Sequence, residues 1–328
     1  MNRTVLGNSK IEISGLSLGT WAFSGAKIWG ENREEDSIRT IQAALDQGIN
    51  LIDTAERYGN GYAEEILGKA IKDRRDKAVI ATKVYADELS YNGIISACEG
   101  SLRRMNTDRI DIYQIHWPNH DIPMDESFSA FEKLKRDGKI LEASVCNFGV
   151  KDIAEAAKYG VQLNQLPYSL VWRVIEKEII PASSAAGVPI WAYIPLGQGL
   201  LSGKYRSIDD VPLGRRETRL YSCKWQQGRH TDPGFETEIF DFLDKLRKLC
   251  EETGYTMPAI ALEFLKKQNC VGSILVGARN EQQLMQNIEA YNTNVPNEVL
   301  DMAVALSEPL KEAEGFNADL WVSENRMR

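Results

Sequence analysis

The chain has 328 residues, 43% of them hydrophobic and 26% charged, enough apolar material for a large core. Its 39 basic and 47 acidic side chains leave a formal charge of −8, with no basic block of the kind a nucleic-acid or anionic-membrane surface needs. No apolar run approaches the ~20 residues of a membrane span.

Residues 1–14, MNRTVLGNSKIEIS, lack the hydrophobic core of a signal peptide. Within them, VLGNSKIEI predicts a short hairpin turning at Gly7-Asn8-Ser9. A rhythm then sets in. Short apolar runs occur at LSLGTW, INLIDTA, AVIATKV, IDIYQIHW, ILEASVC, VQLNQLPY, VPIWAYIPL and VGSILVGA. Between almost all of them lie stretches of helical periodicity, such as 34–47, 125–137 and 152–159. Gly48, Gly138, Gly160 and Gly187 stand where helix-terminating glycines are expected. Eight runs that are apolar on both faces and separated by helices predict a parallel sheet closed into a (β/α)8 TIM barrel. No linker or low-complexity tract interrupts it, so residues 1–328 are expected to form a single domain. Residues 205–235, rich in Gly, Pro and charge, break the rhythm after the seventh strand and predict a long loop or lid. Helices over 236–253 and 258–268 follow, one of them outside the simple repeat, and a further helix is expected near the C-terminus. The five cysteines (Cys98, Cys146, Cys223, Cys250, Cys270) are odd in number and scattered. They predict reduced thiols in a cytoplasmic protein and no metal site.

In such a barrel the chemistry sits at the carboxyl ends of the strands. Those ends carry Asp53, Lys83 and His116, with Tyr58 one loop past Asp53. Taken singly, an aspartate here often caps the next helix, a lysine reaches solvent, and a tyrosine or histidine is core. Taken together they suit proton transfer. A phenol has a free pKa near ~10. An adjacent ammonium stabilises the phenolate, a carboxylate holds that ammonium charged, and an imidazole can orient a polar oxygen.

The segment DTAERYGNGYAEEILGKAI, the lysine of ATKV, the histidine of DIYQIHWP and VCNFG resemble the aldo-keto reductase superfamily. The likeness runs from LSLGTW to VGARNEQQLMQNI, nearly the whole chain. It implies a barrel that binds NADP(H), with NADPH preferred over NADH, and interconverts an aldehyde or ketone with its alcohol. Tyr58 is then the general acid/base, Asp53 and Lys83 its tuning pair, and His116 the substrate-orienting group. Gly19, Thr20 and Trp21 at the first barrel strand, with Asp53, Cys146, Asn147, Gln165 and Tyr193, are expected around a nicotinamide. Asn147 and Gln165 can pair with its carboxamide and Tyr193 can stack on its ring. PLGQGLLSGKY brings Pro195, Leu196, Gly199, Ser202 and Lys204 to a pyrophosphate. Gly277 and Arg279 open the last helix, where Arg279 suits a 2′-phosphate, and Gln283, Gln286 and Asn287 suit the adenosine end. Cys146 and Ile194 stand where relatives often carry serine, and Gln286 where many carry glutamate.

The substrate is expected to be a small carbonyl compound or alcohol, with a sugar or sugar-derived carbonyl among the candidates. Trp21, Trp29, Trp117, Trp172 and Trp225 offer indole faces beside Tyr58 and His116. Arg216, Arg219, Arg229 and His230 are placed to meet a polar group. Two other readings stand beside this one: a barrel lyase using Lys83 as a Schiff base, and a non-catalytic partner protein that senses NADPH.

Overall fold

The computed structural model describes residues 1–25, 29–30, 32–225 and 229–328. A hairpin of β1 (Arg3–Val5) and β2 (Glu12–Ser14) precedes a closed parallel barrel. Its strands are β3 (Leu16–Gly19), β4 (Leu51–Asp53), β5 (Val79–Val84), β6 (Ile110–Ile115), β7 (Ile140–Cys146), β8 (Asn164–Pro167), β9 (Ile190–Tyr193) and β10 (Val271–Gly277). They follow one another round the barrel in chain order, and β10 closes on β3. The eight apolar runs of the sequence are these eight strands. Of the long terminators, Gly48, Gly138, Gly160 and Gly187 all lie at positive φ, between 68° and 83°, a conformation that favours glycine.

The helices are α1 (Glu34–Asp46), α2 (Tyr62–Ile71), α3 (Tyr91–Met105), α4 (Met124–Arg136), α5 (Val150–Ala156), α6 (Ile179–Ala185), α7 (Glu236–Thr253), α8 (Met257–Lys266), α9 (Glu281–Asn292) and α10 (Asn297–Glu314). Among the described residues two of these exceed one helix per strand: α7 and the C-terminal α10, which pack on each other. No described helix is long and apolar enough to cross a membrane.

Period-two alternation explains how the barrel positions its polar groups. One buried cluster joins Leu6 and Ile13 of the hairpin to Leu51, Ala81, Ile112, Leu163 and Trp191 inside the barrel. Two residues further along each strand, on the same inward face, stand Asp53, Lys83, Gln114, Gln165 and Tyr193. An apolar floor thus lies beneath a polar rim.

The segment 205–235 is not one open loop. Short 3-10 turns occur at Ile208–Asp210, Leu213–Arg215 and Cys223–Trp225, while Leu220 and Tyr221 are buried. Residues 226–228 of the expected lid lie outside the described residues. Arg219 Nη1 donates to the carbonyls of Asn317 and Asp319 at 2.9 and 2.8 Å, and the Ser323 hydroxyl donates to Asp232. This segment and the chain after α10 therefore interlock over the carboxyl ends of the strands.

Candidate active site

The turn after β4 sets Tyr58. Gly59, Asn60 and Gly61 take φ values of 62°, 52° and 92° in succession, and a Cβ on Gly59 would meet the Ser24 carbonyl at 2.5 Å. Position 59 therefore admits only glycine, while Asn60 between the two glycines is a residue type that tolerates the left-handed region. Behind it Glu64, fully buried, accepts from Thr82 Oγ1 and Arg104 Nε at 2.6 Å each, fixing α2 to the barrel.

Lys83 is fully buried. Its Nζ donates to Asp53 Oδ2 at 2.8 Å, to the Thr54 carbonyl at 2.7 Å and to Tyr58 Oη at 3.3 Å. Gln165 Nε2 donates to the other oxygen of Asp53 at 2.9 Å. Burial opposes the charged amine, but Asp53 outweighs it and holds Lys83 above its usual range. Burial also pushes the Tyr58 phenol up to about 12, with Lys83 pulling it back. The sequence expectation of a phenol lowered by its ammonium is thus reversed in the net, because desolvation exceeds the attraction. His116 is half-buried, its ring edge-on to Tyr58 with centroids 5.9 Å apart. Burial, then Lys83, Arg326 and Arg57, hold its imidazole well below the usual pKa, so it is neutral.

A cavity of about 1240 Å³ opens above these groups. At its inner end are Gly19, Trp21, Asp53, Tyr58, His116, Asn147, Gln165 and Tyr193. Tyr193 Oη donates to Asn147 Oδ1 at 2.9 Å, and Asn147 Nδ2 donates to the His116 carbonyl at 3.0 Å, so these side chains fix one another. Ile194 follows at φ 53°, a strained conformation for a β-branched residue, and lines the same wall. Pro195, Leu196, Gly199, Ser202 and Lys204 continue one side of the cavity, and Gly277, Arg279, Gln283, Gln286 and Asn287 the other. Trp29, Trp117 and Arg229 also line it.

Seven expected contacts are not brought there. Thr20 is fully buried and outside the wall. Cys146 turns inward, its thiol donating to Gln114 Oε1 at 3.4 Å. Trp172 is fully buried, with the Arg219 guanidinium 5.8 Å from its ring. Trp225 donates to Glu236 Oε1 at 2.6 Å and stacks against Arg216 at 4.7 Å, away from the cavity. Arg216, Arg219 and His230 are likewise buried in packing.

The structure adds residues the sequence did not single out. Arg57 pairs with Asp87 and lies 4.5 Å from the Tyr85 ring, all three lining the cavity mouth. From the tail, Trp321 donates to Tyr193 Oη at 3.3 Å and meets Trp21 edge-on at 5.6 Å. Arg326 grips the buried Asp319 at 2.7 and 3.1 Å and covers the Trp117 ring at 3.5 Å. The tail is anchored by the Arg328 carbonyl, which accepts from Lys151 N at 2.7 Å, and by Arg328 N, which donates to Asp152 Oδ2 at 2.8 Å. Gly149 lies under this anchor, where a Cβ would collide with Met327 and Arg328. Gly149→Val is therefore expected to lose about 1–3 kcal/mol of stability by overpacking. A denaturant midpoint equal to that of the unsubstituted protein would refute the anchor.

At the far end Lys204 lies close to Arg215 and Arg279; burial and these two guanidinia hold its ammonium below the usual value. Gly199, at φ 104°, brings its backbone against them: a Cβ there would lie 3.3 Å from Lys204 Cε and 3.4 Å from Arg215 Nη1. Three converging cations beside a glycine-bearing turn fit a phosphate-rich ligand. Asn280 caps α9 by accepting from Gln283 N at 2.9 Å. Asn287 Nδ2 donates to the Gly277 carbonyl at 3.1 Å, so the turn holding Arg279 is fixed from below.

The model of the aldo/keto reductase family matches residues 15–308. Over 302 residues, 87% of each chain, the sequence is 35% identical to the aldo-keto reductase YhdN of Bacillus subtilis. Over 336 residues, 95% of this chain and 100% of the other, it is 32% identical to the NADH-specific methylglyoxal reductase of Escherichia coli. The crystal structure of a Klebsiella pneumoniae aldo-keto reductase in complex with NADPH superposes with a TM-score of 0.73 at 27% identity, covering 94% of this chain and 95% of that one.

Proposed function

Given that the chain belongs to the aldo/keto reductase family, we propose that it is an NADP(H)-dependent oxidoreductase that interconverts a small aldehyde or ketone with its alcohol. The whole chain is read as one barrel domain serving this reaction. The observation that carries the reading is the hydrogen-bonded line Asp53–Lys83–Tyr58, which ends at a phenol in the cavity beside a neutral His116.

When bound, the cofactor supplies or accepts the hydride. Lys204, Arg215 and Arg279 would hold its phosphates, and Asn147, Gln165 and Tyr193 its nicotinamide. Tyr58 gives its proton to the carbonyl oxygen as negative charge develops there, and takes it back in the oxidation. Lys83 steadies the phenolate left behind, Asp53 keeps Lys83 charged, and neutral His116 orients the substrate oxygen. Trp21, Trp29, Trp117 and Trp321 form the walls against which a sugar or an aromatic ring can pack, while Arg57 and Arg326 offer donors at the mouth. A Schiff base on Lys83 is disfavoured, since imine formation needs a neutral amine and Asp53 holds this one charged. NADPH consumption against a panel of aldehydes, ketones and sugars tests the reading. No turnover with any of them, in either direction, would sink it.

Cofactor choice has a sharper test, because the Escherichia coli relative is named NADH-specific. A charge-assisted contact from Arg279 to a 2′-phosphate is worth roughly 1.5–3 kcal/mol. Arg279→Ala should weaken NADPH binding by about one to two decades and barely touch NADH. Equal losses for both in a fluorescence titration would show that Arg279 does not read the phosphate.

A further inference from the structure

The segment after α10 reaches the cavity at Trp321, and the contact made there has a fixed direction. An indole N–H can only donate, so Trp321 Nε1 donates to Tyr193 Oη at 3.3 Å. At the other end a backbone carbonyl can only accept. The nitrogen of the Asn147 amide is therefore the atom that faces the His116 carbonyl, at 3.0 Å. The amide oxygen then faces Tyr193 and takes its hydroxyl proton at 2.9 Å. The two ends settle the middle: Trp321 donates to Tyr193, Tyr193 to Asn147, and Asn147 to the backbone just past β6. Asn147 uses one amide hydrogen and one lone pair of its oxygen in this chain, leaving one of each for a primary carboxamide. Trp321 is itself held. Its backbone N–H donates to the fully buried Asp319 at 2.9 Å, and the Leu320 carbonyl beside it accepts from Arg219 N at 2.8 Å. Its ring meets Trp21, which in turn stacks on Tyr58.

We propose that Trp321 is a positioning residue for the cofactor: through Tyr193 it sets the Asn147 amide and the Tyr193 ring for the nicotinamide. The proposal rests on the cofactor reading given above and gives the segment after α10 a part in hydride transfer, beyond its place in the wall. Packing alone does not call for this arrangement. A phenylalanine at 321 would still present an aromatic ring to Trp21, but it could not donate to Tyr193. The Tyr193 hydroxyl would then keep one partner of two, and its ring and the Asn147 amide would be less closely held. Binding the nicotinamide would have to order both groups, which the indole orders beforehand.

The test is a double-mutant cycle of Trp321→Phe and Tyr193→Phe, read in NADPH binding by fluorescence titration and in single-turnover hydride transfer. In the parent, Trp321→Phe should weaken NADPH binding and slow hydride transfer by roughly three- to tenfold, what one neutral hydrogen bond contributes. In the Tyr193→Phe background it should do almost nothing, since the hydroxyl it acts through is gone. Binding of adenosine 2′,5′-bisphosphate, which lacks the nicotinamide, should be equal in all four proteins. Losses that multiply would mean that Trp321 acts by packing, and they overturn the proposal. So does an equal loss for adenosine 2′,5′-bisphosphate, or a Trp321→Phe that binds NADPH as the parent does. Should Trp321→Phe not fold, solvent exchange of the Trp321 indole proton decides, followed by NMR in the cofactor-free parent and in Tyr193→Phe. Exchange should quicken in the variant, and equal rates overturn the proposal. Absence of carbonyl turnover in the parent would refute the proposed reaction, while the binding cycle still decides the role of Trp321.

Discussion

Tyr58→Phe should lose at least about 10²-fold in single-turnover NADPH oxidation, and as much as about 10⁴-fold, while binding NADPH nearly as before. The substitution deletes the one phenolic oxygen that Lys83 touches and that faces the cavity, and it keeps the ring stacked on Trp21 at 6.1 Å. The pH dependence gives a second check. With its pKa pushed up to about 12, the phenol keeps its proton across the neutral and mildly alkaline range. Reduction, which needs the protonated form, should not decline there through Tyr58. Oxidation needs the phenolate, so its kcat/KM should climb with pH over the same range. Retention of more than about a tenth of turnover in Tyr58→Phe, less than even the low end of that loss, would remove Tyr58 from the mechanism. So would an oxidation rate indifferent to pH.

The placement of Asp53, Lys83 and His116 was legible because it follows from two local rules. Apolar runs mark the strands, and alternation of period two sends residues two apart to the same face. The barrel and the sharp turn at Gly59–Gly61 depend on near neighbours in the same way. What was not legible is set by contacts between distant residues. Trp117 and Trp172 both follow a strand, yet one lines the cavity and the other is buried beside Arg219. Arg219 in turn is held by carbonyls about a hundred positions further on. Trp321 and Arg326 stand in a tail with no periodicity and reach the cavity only because Asp319, Tyr193 and the start of α5 hold that tail down. Residues 205–235 read as a lid for the same reason: turn-rich composition reports the absence of regular structure, not the absence of packing. The net charge state of Tyr58 belongs here too. Sequence names the neighbouring ammonium but not the extent of burial, and burial decides the sign.

Lys83→Met should be at least as damaging to turnover as Tyr58→Phe, and it should destabilise the fold as well. The lysine is the cation that Asp53 meets at 2.7 Å inside the barrel, with both side chains buried. Breaking a buried pair by removing one partner typically costs about 3–5 kcal/mol, because the charge left behind has neither water nor a counter-ion. The amide of Gln165 remains and cannot neutralise it. The variant should respond by taking up a proton on Asp53, whose carboxyl burial already raises above the usual range. A group whose pKa is higher in the folded than in the unfolded chain contributes stability below its unfolded value and loses that contribution as pH rises through the folded one. The stability deficit of Lys83→Met should therefore be largest at neutral pH and shrink as the pH falls towards the ordinary carboxylate range. Adding Asp53→Asn to the variant should remove this pH dependence and recover much of the loss, without recovering turnover. Denaturant unfolding of the single and double variants across that range measures both effects. A deficit in Lys83→Met that is the same at every pH, or one that Asp53→Asn does not relieve, would mean that the ion pair is not what Lys83 contributes to the fold. Tyr58 would also lose the neighbour that steadies its phenolate, so the chemical step should fail even where the variant is folded and binds cofactor.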